Sequence, residues 1–295
     1  MHFMQEKIEE YLDWKGIHSP KASITYKIWL KRLVEVCGDK QIEDYTITDI
    51  VHYQNWLKVR FSPYSLQYAT VVIKNFFQFY RDQNCLCLPP SLIRRKKTKP
   101  KSHRAIREEE FEKIISIIPE NEFRSLRDLI IIRMLWDTGV RVSELCDLDV
   151  SQIDASNPMA VIATKKTTNM RTIVWSKKTH QLLLKYMPIR EELYKLNNAS
   201  ALFVGQSTTR SWNSRLTTRS VERIIKHYVN KAGVIEKITP HSFRHGWAHL
   251  RRDQNAPLSF IQRGLGHLNP VSTFIYEQYS DIDFERSAKT YFSHA

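Results

Sequence analysis

The sequence predicts a mainly α-helical protein of two domains, the second of which carries a small β-hairpin. Its 295 residues are enough for two domains. In most recognisable elements apolar residues recur three or four positions apart, as in helices. The alternation of apolar and polar residues that is typical of strands is confined to two short segments near residues 160–163 and 172–175. A content of only 8 glycines and 42% hydrophobic residues also suits a helix-rich globular protein.

The first domain, residues 1–88, is predicted to be a unit of four amphipathic helices. Thr46 or Thr48 is suited to cap the third helix, and Ser62, which precedes a proline, is suited to open the fourth. The aromatic run at 76–80 follows helical spacing, which favours a place in the core over a platform for base stacking. The apolar positions that mark the helices are Phe3, Ile8, Tyr11 and Leu12; Ile24, Ile28, Leu30, Leu33 and Val34; Ile50, Tyr53, Trp56 and Leu57; and Tyr64, Tyr68, Val71, Ile73, Phe76, Phe77 and Phe79.

The segment at 89–104, PPSLIRRKKTKPKSHR, is predicted to be a linker, because prolines and like charges disfavour a packed element. A run of positive charge is often only a solvated surface. Between two basic domains it also suits DNA, since each phosphate that it neutralises releases counterions and adds affinity independent of sequence. The candidate DNA-binding residues are Arg94, Arg95, Lys96, Lys97, Lys99 and Lys101.

The second domain, residues 105–295, is predicted to be mostly helical. Gly139 is suited to cap a helix at its C-terminal end. Two short segments on either side of KKTTNMR are expected to pair as a hairpin. The predicted elements are helices at Glu108–Ile118, Glu122–Trp136, Arg141–Leu148, 177–195, 218–231 and 241–253, and strands at Ala160–Ala163 and Thr172–Trp175.

The charge balance indicates a polyanionic partner. Lys and Arg together number 45, against 31 Asp and Glu, which gives a formal net charge of +14 and a pI of about 9.6. Such a balance most often accompanies binding to nucleic acid, and a basic protein with no such partner is the alternative.

Composition also bounds the compartment. No apolar run reaches the ~20 residues of a membrane span, and the acidic N-terminal segment does not read as a signal peptide. Among the four cysteines only Cys85 and Cys87 are close, with no cluster of His or Cys beside them. We therefore expect no zinc site and no membrane, and a cytoplasmic, nucleoid-associated protein with reduced thiols.

Two arginines are candidates for holding a phosphate. Arg141 follows a glycine cap at the start of a short helix, where backbone N–H groups favour an anion, and Glu144 one turn later is suited to orient it. Arg244 belongs to a His-x-x-Arg pair with His241, in a helix that a proline opens. A planar guanidinium binds two oxygens of a phosphodiester and keeps its charge. The alternative for Arg141 is an ordinary surface ion pair with Glu144.

The histidines differ in their positions relative to the predicted elements, and these positions suggest different roles. A second His-x-x-Arg pair, His249 with Arg252, lies deeper in the same predicted helix and is expected to be structural or exposed. His267, like the histidine of the first pair, is a candidate for moving a proton or for hydrogen-bonding a phosphate, because histidine titrates near neutral pH. Gly264 and Gly266 predict a tight turn before it, and a turn or cap residue is the alternative for His267.

Tyr276, nine residues after His267, is the candidate nucleophile. A free phenol is only about 0.1% ionised at pH 7, so its attack on phosphorus needs nearby arginines and a base. Tyr279 is the alternative nucleophile, and a packing role is the alternative for either tyrosine. The leaving oxygen needs a proton, which Lys165 or Lys166 at the tip of the predicted hairpin is placed to give.

No metal and no cofactor are expected. The sequence has no clustered carboxylates such as two-metal nucleases use, and no glycine-rich phosphate loop. The energy of the cut bond would be kept in a covalent phosphotyrosyl bond, so ATP is not expected either.

Three segments of the second domain resemble the tyrosine recombinase (phage integrase) family, and in size and layout its Xer-like and integrase-like members. They are TGVRVSEL at 138–145, HSFRHGWAHL at 241–250, which includes a further histidine at His245, and LGHLNPVSTFIY at 265–276. Their order, spacing and local sequence agree jointly. The first domain is similar only in general form, to the family's four-helix, SAM-like core-binding domain.

The resemblance implies that Tyr276 attacks the scissile phosphate, forms a 3′-phosphotyrosyl link and frees a 5′ hydroxyl. The residues that would stabilise the transition state are Arg141, His241, Arg244 and His267. It also implies a homotetramer on double-stranded DNA recombination sites that acts through a Holliday junction, with or without a paralogous recombinase or an accessory factor. The tail after Tyr276 would dock on a neighbouring protomer.

The sequence leaves two adjacent lysines, Lys165 and Lys166, as candidates for the proton donor. The family's hairpin often carries this lysine between glycines, whereas the present hairpin reads TKKTTNMR. Counting back from Arg171 favours Lys166, and counting forward from Arg141 favours Lys165. The prediction is Lys166, because the turn is shorter and better anchored on the side of Arg171.

Two other functions stay open. One is a type IB topoisomerase-like nicking-closing enzyme, which shares the chemistry; the compact size and the tail disfavour it. The other is a catalytically silent DNA-binding regulator on the same fold, which the complete set of candidate residues disfavours. Integration, excision and dimer resolution are not distinguished by the sequence.

Overall fold

The computed structural model describes residues 3–95, 104–163, 170–194, 200–205, 214–267 and 271–274. The chain divides into two compact units, residues 1–101 and 102–295. Both are mainly helical, as the sequence predicts. None of the helices within the described ranges has the length and hydropathy that a membrane span needs.

The described part of the first unit contains four α-helices, α1 (Phe3–His18), α2 (Pro20–Cys37), α3 (Ile47–Arg60) and α4 (Pro63–Asp82). Local signals fix two of the helix starts. Thr46 caps α3 in a reciprocal capping box, since its side chain accepts from the backbone N–H of Asp49 while the Asp49 carboxylate accepts from the backbone N–H of Thr46. The Ser62 hydroxyl accepts from the backbone N–H of Ser65 at the start of α4.

The core of the first unit is built largely from aromatic rings. Phe76, Phe77 and Tyr80 on α4 are fully buried, and Phe76 meets Tyr11 of α1 edge to face with the ring centroids 5.4 Å apart. This confirms the interpretation of the aromatic run as core. The face of α2 was predicted less well: Leu30 and Leu33 are buried, but Ile24 and Ile28 are exposed, because Tyr26 and Trp29 take the inward positions instead.

The first residues of the segment predicted as a linker pack on the first unit. Pro90–Leu92 form a short 3-10 turn, and Ile93 is buried in the core of this unit. The Gln54 side-chain amide on α3 donates to the Arg94 carbonyl at 3.1 Å. Arg94 and Arg95 themselves are exposed, whereas Lys96, Lys97, Lys99 and Lys101 lie outside the described residues.

Within the described ranges, the second unit combines helices with two small antiparallel sheets. Its elements are α5 (Glu108–Ser116), α6 (Phe123–Thr138), α7 (Val142–Cys146), β1 (Met159–Ala163), β2 (Met170–Val174), α8 (Lys177–Tyr194), β3 (Val204–Gly205), β4 (Ser214–Arg215), α9 (Thr218–Lys231), α10 (Pro240–Asp253), α11 (Leu258–Leu265) and α12 (Val271–Phe274). The hairpin of β1 and β2 was predicted, with slightly different bounds. The two-residue pair of β3 with β4 was not, because so short a segment shows no alternation.

The central element of the second unit is α6. Residues 129–132 are all buried on consecutive positions, which marks a helix enclosed on every side rather than an amphipathic surface helix. It packs against α8 and α10. In the hairpin beside it, Ile162 of β1 pairs with Arg171 of β2, and alternate residues of both strands face inward.

Candidate active site

The site begins where α6 ends. Gly139 adopts a left-handed conformation with φ of 60°, which terminates the helix and turns the chain toward α7. Arg141 lies immediately before α7, as its N-cap residue in extended conformation, and not inside the helix as predicted. The reason is that the Glu144 carboxylate accepts from the Arg141 backbone N–H at 2.8 Å and thereby starts the helix at Val142.

Glu144 also holds the Arg141 side chain. Its Oε1 accepts from Arg141 Nη1 at 3.0 Å. The two side chains differ in exposure, since that of Glu144 is 1% exposed and that of Arg141 is 28% exposed. The contact is therefore not the exposed surface ion pair considered as the alternative for Arg141: a buried carboxylate orients a guanidinium that reaches solvent.

A second arginine binds the same carboxylate. Arg171 on β2 donates from Nη1 to Glu144 Oε1 at 3.0 Å and from Nη2 to Oε2 at 2.7 Å, and its Nε donates to the Gly264 carbonyl at 3.1 Å. Burial by itself would raise the pKa of Glu144, but the hydrogen bonds and charges of Arg171 and Arg141 outweigh it and hold the pKa below its usual value. Glu144 is thus ionised at neutral pH.

Arg171 was missed as a site residue, although the sequence holds a signal for it. Met170 and Thr172 are exposed while Arg171 and Ile173 are buried, so the strand period places an arginine on the inward face. A buried arginine needs a charged or hydrogen-bonding partner. An arginine at an inward-facing position of a predicted strand is therefore the pattern that could have indicated its role.

Arg244 is fixed by the ends of two other helices. It lies on α10 and is buried, and its Nη1 donates to the Gly139 carbonyl at 2.8 Å while its Nη2 donates to the Leu265 carbonyl at 2.7 Å. Gly139 ends α6 and Leu265 is the last residue of α11. Carbonyls at helix C-termini lack intrahelical partners and carry partial negative charge, so they are suited to bind a buried cation.

His267 follows α11 and faces these arginines. Gly266 ends α11 in a left-handed conformation with φ of 63°, and His267 Nδ1 lies 2.9 Å from the Thr273 hydroxyl. Burial, followed by neighbouring charges of which Arg244 is the largest, lowers the pKa of His267 from 6.5 to about 4. The other groups that lower it are Arg141, Arg171 and His245. The imidazole is therefore neutral at physiological pH.

We call Arg141, Glu144, Arg171, Arg244 and His267 the arginine–histidine cluster. Four of these residues, all but Arg171, were named as candidates from the sequence. The structure brings the five together from four parts of the second unit, which are α7, β2, α10 and the end of α11. A cationic cluster that contains one buried carboxylate and one neutral imidazole is suited to bind a phosphate and to hydrogen-bond its oxygens.

The helix that carries Arg244 begins as predicted, at Pro240. His241 lies in its first turn, exposed, one turn before Arg244. The second pair lies farther along the helix, where Arg252 donates to the carboxylate of its neighbour Asp253 at 2.8 Å and 3.0 Å. Both residues of this pair are half-buried, and their expected role stays a prediction.

The predicted role of Gly264 was wrong. It lies inside α11 and not in a turn, and a Cβ atom at this position would overlap the ring of Trp247. A Cβ at Gly139 would also come within 2.9 Å of the same ring. The two glycines therefore let α10 approach the ends of α6 and α11, which sets the positions of Arg244 and His267. Trp247 is held in turn by a hydrogen bond of 2.8 Å to the Asp137 carbonyl.

The remaining candidates lie outside the described residues. These are the candidate nucleophile Tyr276, the alternative Tyr279, and Lys165 and Lys166. Their roles, and the choice between the two lysines, stay predictions.

Residues 104–282 match the model of the phage integrase family, and the chain belongs to that family. It is 29% identical over 273 residues to a protein named tyrosine recombinase XerA from Thermococcus kodakarensis, an alignment that covers 92% of this chain and 89% of the relative. It is 26% identical over 300 residues to tyrosine recombinase XerC from Listeria monocytogenes serotype 4a, covering 99% and 97%.

The fold is shared with solved structures. XerH recombinase bound to its difH substrate in a pre-cleavage complex is similar with a TM-score of 0.74 at 20% identity, covering 96% of this chain and 84% of that one. The Tn1549 transposon integrase in complex with transposon right end DNA is similar with a TM-score of 0.78 at 16% identity, covering 99% of each chain. These similarities confirm the predicted family and fold, and with them a tyrosine recombinase, an enzyme that acts on DNA.

Proposed function

We propose that the protein cuts and rejoins DNA at specific sites by transesterification through a covalent 3′-phosphotyrosyl intermediate. The observation that carries the proposal is the arginine–histidine cluster, in which Arg141 and Arg244 are both held by groups other than a ligand. Because their positions are set before DNA binds, little reorganisation is needed when charge develops on the phosphate.

Each residue then has a distinct task. The Tyr276 phenol oxygen attacks the phosphorus, the bond to the 5′ oxygen breaks, and that oxygen takes a proton from Lys166. Arg141 and Arg244 bind the non-bridging oxygens, which become more negative in the transition state. Neutral His267 is suited to donate a hydrogen bond from its ring, and His241 to take the phenol proton. In the second half-reaction the freed 5′ hydroxyl of another strand attacks the phosphotyrosyl bond and releases the tyrosine.

The assembly is proposed on the same basis. Four protomers would join two DNA sites through a Holliday junction, each with its first unit and the basic segment at 89–104 along the DNA backbone. DNA is bound by the XerH and Tn1549 integrase chains to which this fold is similar, and by a λ integrase described as a dimer on a core site. A DNA recombinase of this kind works on the chromosome, so a cytoplasmic, nucleoid-associated location is part of the proposal.

The test of the nucleophile uses a DNA site recovered from random duplexes by repeated binding and amplification. A duplex nicked close to the cleaved bond traps the covalent complex, because the short product strand diffuses away. Tyr276→Phe should bind this duplex as the wild type does and form no covalent complex on a denaturing gel. Tyr279→Phe is the matched control and should still form it. Capture by Tyr276→Phe but not by Tyr279→Phe would transfer the role to Tyr279.

A second substrate, with a changed leaving group, separates the lysines. A duplex with a 5′-thiolate leaving group needs no proton, so Lys166→Ala should cleave it at close to the wild-type rate while it cleaves normal DNA slowly. If only Lys165→Ala is rescued by the thiolate, Lys165 is the proton donor.

Two further outcomes would change the proposal. Strand exchange should continue in EDTA, and a strict requirement for magnesium would contradict the mechanism. Relaxation of supercoiled DNA without exchange between two sites would indicate a nicking-closing enzyme, and binding with no covalent capture by the wild type would indicate a regulator.

A further inference from the structure

We infer that Arg171 is a positioning residue, which keeps Arg141 available to the scissile phosphate by taking up the charge of Glu144. The inference rests on the proposed function of the arginine–histidine cluster and adds a residue that does not itself touch DNA. The side chain of Arg171 is 5% exposed, against 28% for that of Arg141. Only Arg141 of the two is therefore open to a ligand from solvent.

The two arginines donate unequal numbers of side-chain hydrogen bonds to the Glu144 carboxylate. Glu144 receives one side-chain donor from Arg141, Nη1 at 3.0 Å, but two from Arg171, at 3.0 Å and 2.7 Å. A two-pronged contact of this kind is stronger and more directional than a single hydrogen bond. Arg171 thus holds Glu144 firmly, and the Arg141 guanidinium shares a carboxylate whose charge is largely compensated.

The charge balance gives the consequence. With Arg171 present, two guanidinium groups face one carboxylate, and a positive charge is left for the phosphate. Without it, Glu144 and Arg141 would form a neutral pair, and the carboxylate would compete with the phosphate for Arg141. In a buried setting this competition is severe, because charges interact more strongly away from water.

A second feature of the fold is built around the same side chain. A Cβ at Gly266 would come within 2.6 Å of Arg171 Nη1 and 3.0 Å of its Cζ, so the guanidinium lies directly against the backbone of this glycine, whose left-handed conformation other residues rarely adopt. Together with the bond to the Gly264 carbonyl, this fixes Arg171 against the end of α11, next to His267. Arg171 therefore joins β2, which follows the predicted lysines in sequence, to the elements that carry Arg141 and His267.

The test is a double-mutant cycle on covalent capture by the full chain. Arg171→Met should lower the capture rate about ten- to a hundred-fold, as loss of the hydrogen-bond partner of a metal ligand does in metal sites, with little change in DNA affinity. Glu144→Gln removes the competing carboxylate while its amide oxygen can still accept from the Arg141 backbone. The double variant should therefore capture at least about ten times faster than Arg171→Met alone, a recovery that loss of a merely structural contact would not produce.

Arg127 provides the matched control. It is also buried in the second unit, and it donates to a carboxylate, that of Asp128, and to the Val204 carbonyl. Arg127→Met should lower thermal stability as Arg171→Met does, yet leave the capture rate of the folded protein unchanged. Should Arg171→Met not fold, Arg171→Gln serves in its place: it removes the positive charge but keeps a polar side chain at this position, and Glu144→Gln should again restore rate.

The outcomes distinguish a failure of the role inferred for Arg171 from a failure of the proposed function. If Arg141→Ala captured DNA at the wild-type rate, the proposed phosphate site would fall and the role of Arg171 with it. If Arg141→Ala is inactive but Glu144→Gln gives no recovery in the Arg171 variants, only the inference is overturned. The same holds if Arg127→Met and Arg171→Met lose rate equally at equal stability.

Discussion

The two compact units bury different kinds of side chain. With tyrosine and cysteine counted as hydrophobic, Thr70 is the only polar or charged residue buried in the described part of the first unit, whose core is otherwise apolar. The second unit also has an apolar core, around α6, but it buries charges as well. The buried charged residues described there are Glu110, Arg127, Asp128, Glu144, Arg171, Arg190 and Arg244.

This difference distinguishes side chains that stabilise the fold from side chains that position the groups of the proposed active site. Burying a charge is costly unless it is paired and hydrogen-bonded, and an apolar replacement of similar volume often gives equal or better stability. Three of the buried charges, Glu144, Arg171 and Arg244, belong to one cluster and fix its geometry. We therefore expect substitutions in the first core to change stability alone, and substitutions in the cluster to change the rate of DNA cleavage.

The largest expected effect tests the first half of this comparison. Phe76→Ala should lower the free energy of unfolding by about 3–5 kcal/mol, because it removes a fully buried ring from the aromatic core. The midpoint of urea denaturation measures the loss. The exposed Ile24 on the same unit is the control, and Ile24→Ala should change stability by no more than about 0.5 kcal/mol. A cleavage defect in Phe76→Ala that exceeds its loss of folded protein would contradict the comparison.

The second prediction concerns the cluster. Arg244→Lys should lower the rate of covalent capture about 10²–10³-fold, as removal of one positioned donor does in other transfer sites. A lysine has no planar fork with which to hold the Gly139 and Leu265 carbonyls and bind a phosphate at once. Arg190→Lys is the control, since Arg190 is buried and donates to the Ala201 and Leu202 carbonyls instead. Equal rate defects in the two variants would remove the distinction between fold and site.

The third prediction compares glycines of the two units. Gly264→Ala should destabilise the protein by about 1–3 kcal/mol, because its methyl group would overlap the Trp247 ring between α10 and α11. Gly16 lies in α1, where the atom nearest to an added methyl group would be 3.9 Å away, so Gly16→Ala should stabilise by about 0.5–1 kcal/mol. Thermal denaturation measures the stability of both variants. An unchanged stability of Gly264→Ala would show that α11 is free to shift.

The fourth prediction concerns pH dependence. Because the pKa of His267 is lowered from 6.5 to about 4 in the folded protein, the unfolded chain binds a proton over this window that the folded chain does not. Stability contributed by the neutral imidazole is therefore full above pH 6.5, falls as the pH falls toward 4, and changes no further below it. His267→Gln should flatten this part of the curve of urea midpoint against pH. An unchanged slope would mean that His267 titrates alike in both states.

Features that depend on neighbours in sequence could be predicted. The starts of α3 and α4 follow from Thr46 and Ser62, the end of α6 from Gly139, and the start of α10 from Pro240. Each is a local signal, in which one residue satisfies or removes a backbone group at a helix end. The motifs that made Arg141, Glu144, Arg244 and His267 candidates are also local.

Features that depend on distant partners could not be predicted. Arg171 binds Glu144 across 27 residues and the Gly264 carbonyl across 93, so a pattern on β2 shows that it is buried but not what it meets. Gly264 was taken for a turn residue because the Trp247 ring that requires it lies on another helix. The exposed faces of Ile24 and Ile28 have the same origin, since helical spacing alone does not choose between two apolar faces.

The most direct test of the central claim removes the charge from the DNA instead of from the protein. Covalent capture by the wild type and by Arg244→Lys is compared on a normal duplex and on one with a neutral methylphosphonate at the cleaved position. If the buried charges of the second unit serve the phosphate, the defect of about 10²–10³-fold on normal DNA should shrink to less than about ten-fold on the neutral duplex. A defect of the same size on both duplexes would show that Arg244 only supports the fold, and would contradict the account.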